Sequence, residues 1–176
     1  QYDAKVIDQL VQIVPDPLVD GFENNAGAQT ISPFLLEQYA TAARRIVDAL
    51  RPALQGLTGC SPDSPPAHER TCARGFIQSF GRRVYRRPLT SVEVARFEAF
   101  VDAQRAERGF FEAIELLLEA FFQTPSFLYR PEVGEPACGA AVAPLTQHEI
   151  ASRLSYFFWA SMPDDQLLDA ADRGDL

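Results

Sequence analysis

The sequence predicts an all-α fold, an irregular multi-helix bundle with long loops and one disulfide. Three observations carry this. No run of alternating β-branched residues and no Asn-Gly or Asp-Gly hairpin turn lies between apolar runs, so strand signals are scarce. Apolar residues recur at helical spacing through most of the chain. Two stretches, "LTSVEV" from Leu89 and "LTQHEI" from Leu145, carry a Thr cap, a Glu three residues on, and flanking apolar residues that staple a helix start.

Taken in order, Tyr2, Val6, Ile7, Leu10, Val11 and Val14 share one face of a first helix that is already under way near Gln1, so the start looks like a cut or processed end. A long loop follows and holds the polar corner Glu23, Asn24, Asn25. Ser32 then caps a helix with Pro33 in its first turn, running to about Arg51 and burying Leu35, Leu36, Tyr39, Ala42, Ala43, Ile46, Val47 and Leu50. A proline-rich loop between Cys60 and Cys72 leads to a helix from about Ala67 to Tyr85, with Phe76, Ile77, Phe80 and Val84 inward and Pro88 as its stop. Thr90 opens the next helix. "GFFEAIELLLEAFF" is apolar on most of its surface and predicts a central helix, ended by Pro125. The Pro-, Gly- and Ala-rich stretch 131–144 predicts a boundary. Thr146 opens another helix, and a last one begins at "MPDDQLLDAA", with Pro163 in its first turn and Asp164 and Asp165 beside the positive end of the dipole. The domains expected are 1–58, 59–136 and 137–176, the last continuing beyond the chain.

Composition narrows the function classes. The 176 residues carry a formal net charge of -8, and 47% are hydrophobic, enough for a real core but acidic overall. General binding to nucleic acid needs a net basic face and is not expected. No apolar run approaches the roughly 20 residues of a membrane helix. Lys5 is the only lysine, so arginine supplies almost all the positive charge.

Three cysteines are present. A bridge between Cys60 and Cys72 would tie the ends of the proline-rich loop and contribute about 3 kcal/mol, and it points to an oxidising compartment. Two reduced, buried thiols and a zinc site completed by His68 are the alternatives. The zinc reading lacks the CxxC pairing of structural sites, and no metal is expected. Cys138 has no evident partner.

Few residues invite chemistry. GxSxG, HExxH, phosphate-binding glycine loops and CxxCH haem attachment are all absent from the sequence. His148 falls at an exposed helix-start position, and Met162, conceivable as a haem ligand, reads better as packing. The acidic series Asp164, Asp165, Asp169, Asp172 and Asp175 lacks the spacing of a calcium loop and reads as a solvated face. Asn24 and Asn25 could bind hydroxyls or a cation, or simply tie their loop. Trp159, with Tyr156, Phe157 and Phe158, could meet a partner or a carbohydrate ring, although burial between helices is the default. Arg82, Arg83, Arg86 and Arg87 crowd one helix end; Arg86 and Arg87 are ligand candidates, and pairing with carboxylates of other helices is the plainer use.

Three segments carry a family likeness. "GFENNAGAQTISPFLLEQYATAA", "CARGFIQSFGRRVYRRPLTSVEVARF" with "TPSFLYRPE", and "LTQHEIASRLSYFFWASMPDDQLLDAADRGDL" resemble planctomycete cytochrome-associated domains of unknown function, found together in large exported proteins of planctomycetes and myxobacteria. The resemblance implies that this is the N-terminal part of a larger helical protein with further helical domains downstream, an extracytoplasmic location and, through cytochrome or carbohydrate-binding modules in relatives, a redox or polysaccharide-linked role. It implies no catalytic residue here. Haem, if present, would lie elsewhere in the longer protein. The leading expectation is a helical interaction module that packs against downstream domains of the same polypeptide or a processed partner chain, linked to a c-type cytochrome. The alternative is part of an extracytoplasmic haem- or metal-dependent oxidoreductase or polysaccharide-active enzyme.

Overall fold

Among the residues that the computed structural model describes, 13–15, 18, 19, 21, 32–61, 64–135 and 142–176, the chain forms eight α-helices, one 3-10 turn and no β-strand. The expected first helix, the Glu23, Asn24, Asn25 corner and Cys138 lie outside the described residues.

Helix α1 spans Pro33–Leu50, and its start is local chemistry: the Ser32 hydroxyl accepts the Leu35 amide at 3.1 Å and Pro33 fixes the first turn. Its buried stripe is narrower than expected. Ala42, Ala43 and Val47 are buried, whereas Leu36 is 51% exposed. A 3-10 turn, Arg51–Ala53, and short α2, Leu54–Thr58, lead to the cysteine loop. The Cys60–Cys72 disulfide is formed and joins that loop to α3, Pro66–Tyr85, so the proline-rich stretch is tied at both ends.

Helix α4, Ser91–Arg108, begins with the predicted capping box, Thr90 Oγ1 accepting the Glu93 amide while the Glu93 carboxylate accepts that of Thr90. Helix α5, Phe110–Phe122, is the centre of the molecule. Ala113, Ile114, Leu117, Leu118 and Phe121 are all 0% exposed. Each large side chain among them contributes roughly 1.5–3 kcal/mol by leaving water. Helices α1, α3 and α4 all pack on α5, and one continuous core takes in Val47, Leu54, both bridged cysteines, Phe76, Ile77, Val84 and Val101. Phe97 meets Phe121 with ring centroids 4.6 Å apart, and Phe80 stacks on Phe76 at 5.1 Å.

Helix α5 stops at Phe122, three residues before Pro125, and the proline starts the next element instead of merely ending the last. Thr124 accepts the Phe127 amide and opens α6, Pro125–Leu128.

The last two helices, α7 (Gln147–Trp159) and α8 (Asp165–Arg173), form a hairpin of their own. The Thr146 and Glu149 capping box starts α7 as predicted. The start of α8 differs by one step: Asp164, not the second helical residue, is the cap, accepting the Leu167 amide at 2.9 Å, and Pro163 sits buried ahead of the helix. Leu168, Ala151 and Ala171 are buried in this hairpin and stand apart from the main core.

Candidate functional site

The hairpin is fastened to the main body largely by arginine. At the end of α3, Arg82 Nη2 reaches Asp169 at 2.7 Å and Asp172 at 2.5 Å, and Arg83 Nη2 reaches Asp165 at 2.5 Å. Three of the acidic series, Asp165, Asp169 and Asp172, are therefore counter-charges of this arginine pair on a face that stays partly exposed, while Asp164 caps α8 and Asp175 pairs with Arg173. His148 also departs from its expected exposed role: its Nε2 lies 2.8 Å from Asp172 and the ring is largely covered.

Arg86 and Arg87 do different work. Helix α3 ends at Tyr85, and Arg86 adopts the left-handed conformation, φ 55 and ψ 24, that glycine usually supplies at a helix end. Its side chain then turns inward, 5% exposed, and Nη2 donates to the carbonyls of Ser126 and Tyr129, each at 2.6 Å. These carbonyls sit in and just after α6, so Arg86 pins that short helix to the end of α3. Burial lowers the Arg86 pKa, with Tyr156 partly offsetting and Arg130 adding repulsion. Arg87 instead forms a two-bond pair with Glu93 and lies over the Tyr85 ring at 5.1 Å.

Both arginines line a cleft of about 890 Å³ bounded by α3, α6 and α7, with Arg130, Tyr156, Glu149 and Arg153 on its other walls. Arg130 stacks on Tyr156 at 4.5 Å. Arg153 is held by Glu132, Nε to Oε1 at 3.0 Å with a second bond from Nη2. Glu149 Oε1 accepts the amides of Val133 at 2.7 Å and Gly134 at 3.0 Å, while Oε2 accepts the amide of Thr146. Burial opposes its charge, but these amides prevail and its pKa falls below the ordinary value.

Of the five predicted ligand candidates, the structure brings Arg86 and Arg87 together in this cleft and places Trp159 elsewhere, at the end of α7. Asn24 and Asn25 lie outside the described residues. Burial of the aromatic run between helices does not occur: Phe157 is 80%, Phe158 64% and Trp159 70% exposed. Their rings touch one another instead, Phe157 to Phe158 at 5.0 Å and Phe158 to Trp159 at 5.7 Å. The reason is the narrow seam of the α7–α8 hairpin, which buries Ala151 and Ser155 and leaves that turn of α7 largely open to solvent.

His68 comes close to the bridged sulfurs, the three candidate ligand atoms lying within 4.8 Å of one another. Because Cys60 and Cys72 are bonded to each other, neither offers a thiolate.

Sequence reasoning missed Arg130 and weighed Tyr156 only as an aromatic for a partner or a carbohydrate ring. Both stood within stretches singled out for other reasons, "TPSFLYRPE" and "SRLSYFFWASM", but only the fold places them face to face across the cleft.

No curated protein and no solved structure matches this chain. Three family models do: PSD3, a protein of unknown function (DUF1587), over residues 2–51; PSD5, a protein of unknown function (DUF1595), over 72–132; and PSD4, a protein of unknown function (DUF1592), over 145–176. The cleft lies where the second and third of these meet, Arg86 and Arg130 coming from one and Glu149 and Tyr156 from the other. The chain is thus a tandem of segments similar to three domain families of unknown function, PSD3, PSD5 and PSD4 in chain order.

Proposed function

We propose that this chain is a non-catalytic helical interaction module of an exported multidomain protein, and that the end of α7 docks a neighbouring helical domain of the same polypeptide in an assembly linked to a c-type cytochrome. The observation that carries this is the exposed aromatic turn Phe157, Phe158, Trp159, continued by Met162. Contiguous apolar surface of this kind is costly in water, at about 25 cal/mol per Å², and marks a contact surface. The disulfide supports an oxidising, extracytoplasmic compartment. No described helix is long and apolar enough to cross a membrane. The cytochrome link and the downstream helical domain rest on the family resemblance.

Trp159 is the only tryptophan and reports on its own surroundings. Its emission, compared between this chain and the longer polypeptide, is expected to shift to the blue in the latter, with slower hydrogen exchange over residues 154–162. Identical emission and exchange in both would rule out docking through this surface. Adding the c-type cytochrome tests the second part separately, since haem quenches a nearby indole. Absence of quenching at large molar excess removes the cytochrome link and leaves the docking intact.

A further inference from the structure

The cleft between α3, α6 and α7 holds more positive charge than its own carboxylates neutralise. Arg82, Arg83, Arg87 and Arg153 each have a carboxylate within 2.8 Å. Arg86 has none among the described residues: its bonds go to the neutral carbonyls of Ser126 and Tyr129, with a long one from Nη1 to Val84 at 3.5 Å, and the Tyr156 side chain is a further hydrogen-bond partner. Arg130 forms no close ion pair among the described residues and rests on the Tyr156 ring; its charge helps lower the pKa of Glu132, whose carboxylate is bonded to Arg153. Glu149, the carboxylate best placed to serve them, is already fully engaged by the amides of Val133, Gly134 and Thr146 and the Thr146 hydroxyl.

Glu132 and Glu149 line the same cleft, but with Glu93 they set three carboxylates against the four arginines Arg86, Arg87, Arg130 and Arg153, and an unmatched guanidinium is costly, the more so where one of the four is buried. Repulsion from Arg130 is one of the influences that lower the Arg86 pKa. In a chain of net charge -8 this surplus is local, and nonspecific attraction of anions to the whole surface does not explain it. Carbonyl bonds hold the Arg86 side chain in place, and the Tyr156 ring supports Arg130, so both cations are already positioned without a ligand.

We propose that this cleft binds a small oxyanion, the carboxylate of an organic acid or a phosphate group, between Arg86 and Arg130 beside the Tyr156 ring. Arg87 is not part of the site, because Glu93 already neutralises it. The site rests on Arg86 and Arg130 and not on the docking surface; Trp159 lies outside the cleft lining, while Phe157 of the same aromatic turn borders it.

The test is binding of succinate and of inorganic phosphate, each against sodium chloride at matched ionic strength, by calorimetry and by thermal unfolding. One of the two is expected to bind saturably and raise the unfolding temperature. Succinate alone would identify an organic carboxylate as the ligand, and phosphate alone a phosphate group. Arg130→Ala, which removes no buried contact, is expected to weaken that binding by tenfold or more, while Arg108→Gln on the exposed end of α4 leaves it unchanged. Lack of binding beyond the chloride control, or equal weakening in both variants, would overturn the proposal.

Discussion

Arg87 and Glu93 are joined by two parallel hydrogen bonds, at 2.9 and 2.8 Å, and the same carboxylate accepts the Thr90 amide at 2.7 Å. One side chain thereby caps α4 and anchors the arginine beyond the end of α3. The Arg87 guanidinium is the main cause holding the Glu93 carboxyl at about 2, below its ordinary 4.5. A carboxyl whose pKa falls on folding stabilises the protein fully above the unfolded value and loses that contribution as pH drops through the folded one. Glu93→Gln is expected to cost about 1–2 kcal/mol at pH 7, less than the full linkage value because the pair is partly solvated. Urea unfolding should show the gap between wild type and variant closing between pH 4.5 and 2. A gap that stays constant would show that the pair contributes nothing through its charge.

Arg86 sets a left-handed backbone against an inward side chain. Arg86→Ala keeps the unfavourable φ of 55 and leaves the Ser126 and Tyr129 carbonyls without their donor, for an expected loss of about 2–4 kcal/mol. Arg86→Gly also loses the donor but relaxes the backbone, so it should be about 1 kcal/mol more stable than the alanine variant. Equal stabilities in denaturant titrations would mean that the backbone strain is negligible.

Two glycines on α3 should respond oppositely to alanine. A Cβ on Gly81 would meet Leu89 Cδ1 at 2.5 Å and Phe121 Cζ at 3.3 Å, deep in the core, and Gly81→Ala is expected to cost about 1–3 kcal/mol. At Gly75 nothing lies within 4 Å, and Gly75→Ala should stabilise by about 0.5–1 kcal/mol through helix propensity. Thermal unfolding of the two variants checks both signs.

The local grammar of the chain was legible because its causes are local. Ser32, Thr90 and Thr146 cap the helices they were expected to cap, since each bond spans three residues. The Cys60–Cys72 bridge was legible for a similar reason: the two cysteines bracket a proline-rich loop that would wander unless its ends were tied. Partners of the arginines were not legible, because Asp169 and Asp172 are 87 and 90 residues from Arg82 and sequence spacing says nothing over that distance. The exposure of Phe157, Phe158 and Trp159 was hidden for another reason. Consecutive aromatics define no inward face, so their density suggested a core that the small seam of α7 on α8 does not provide.

Docking of α8 onto α3 is ionic and therefore adjustable. Arg82→Ala frees Asp169 and leaves Asp172 with His148 alone, and the partly exposed pairs it removes are worth only about 1 kcal/mol globally. Hydrogen exchange should nonetheless quicken through Asp165–Arg173 while α5 stays protected, and added salt should produce the same pattern in wild type. Uniform quickening across the chain would show instead that the hairpin and the main body unfold as one unit.

The disulfide closes a separation of 12 residues. Replacing both cysteines by alanine is expected to cost about 3 kcal/mol in urea unfolding, the loop-closure value, with the helices retained. A cost near zero would indicate that the packing of Phe76 and Ile77 alone fixes the loop ends.

Glu149 grips Val133 and Gly134 with one oxygen and the start of its own helix with the other, and the Glu135 amide adds a bond to the Pro144 carbonyl at 2.8 Å. Both ends of the segment between these residues are thus clasped at one point. Added length there would be looped out at a penalty that grows only about 0.6 kcal/mol per doubling, and α7 would keep its place. This is the position at which the protein should accept an inserted peptide tag or a protease cleavage site, and where a single cut should leave the two pieces associated.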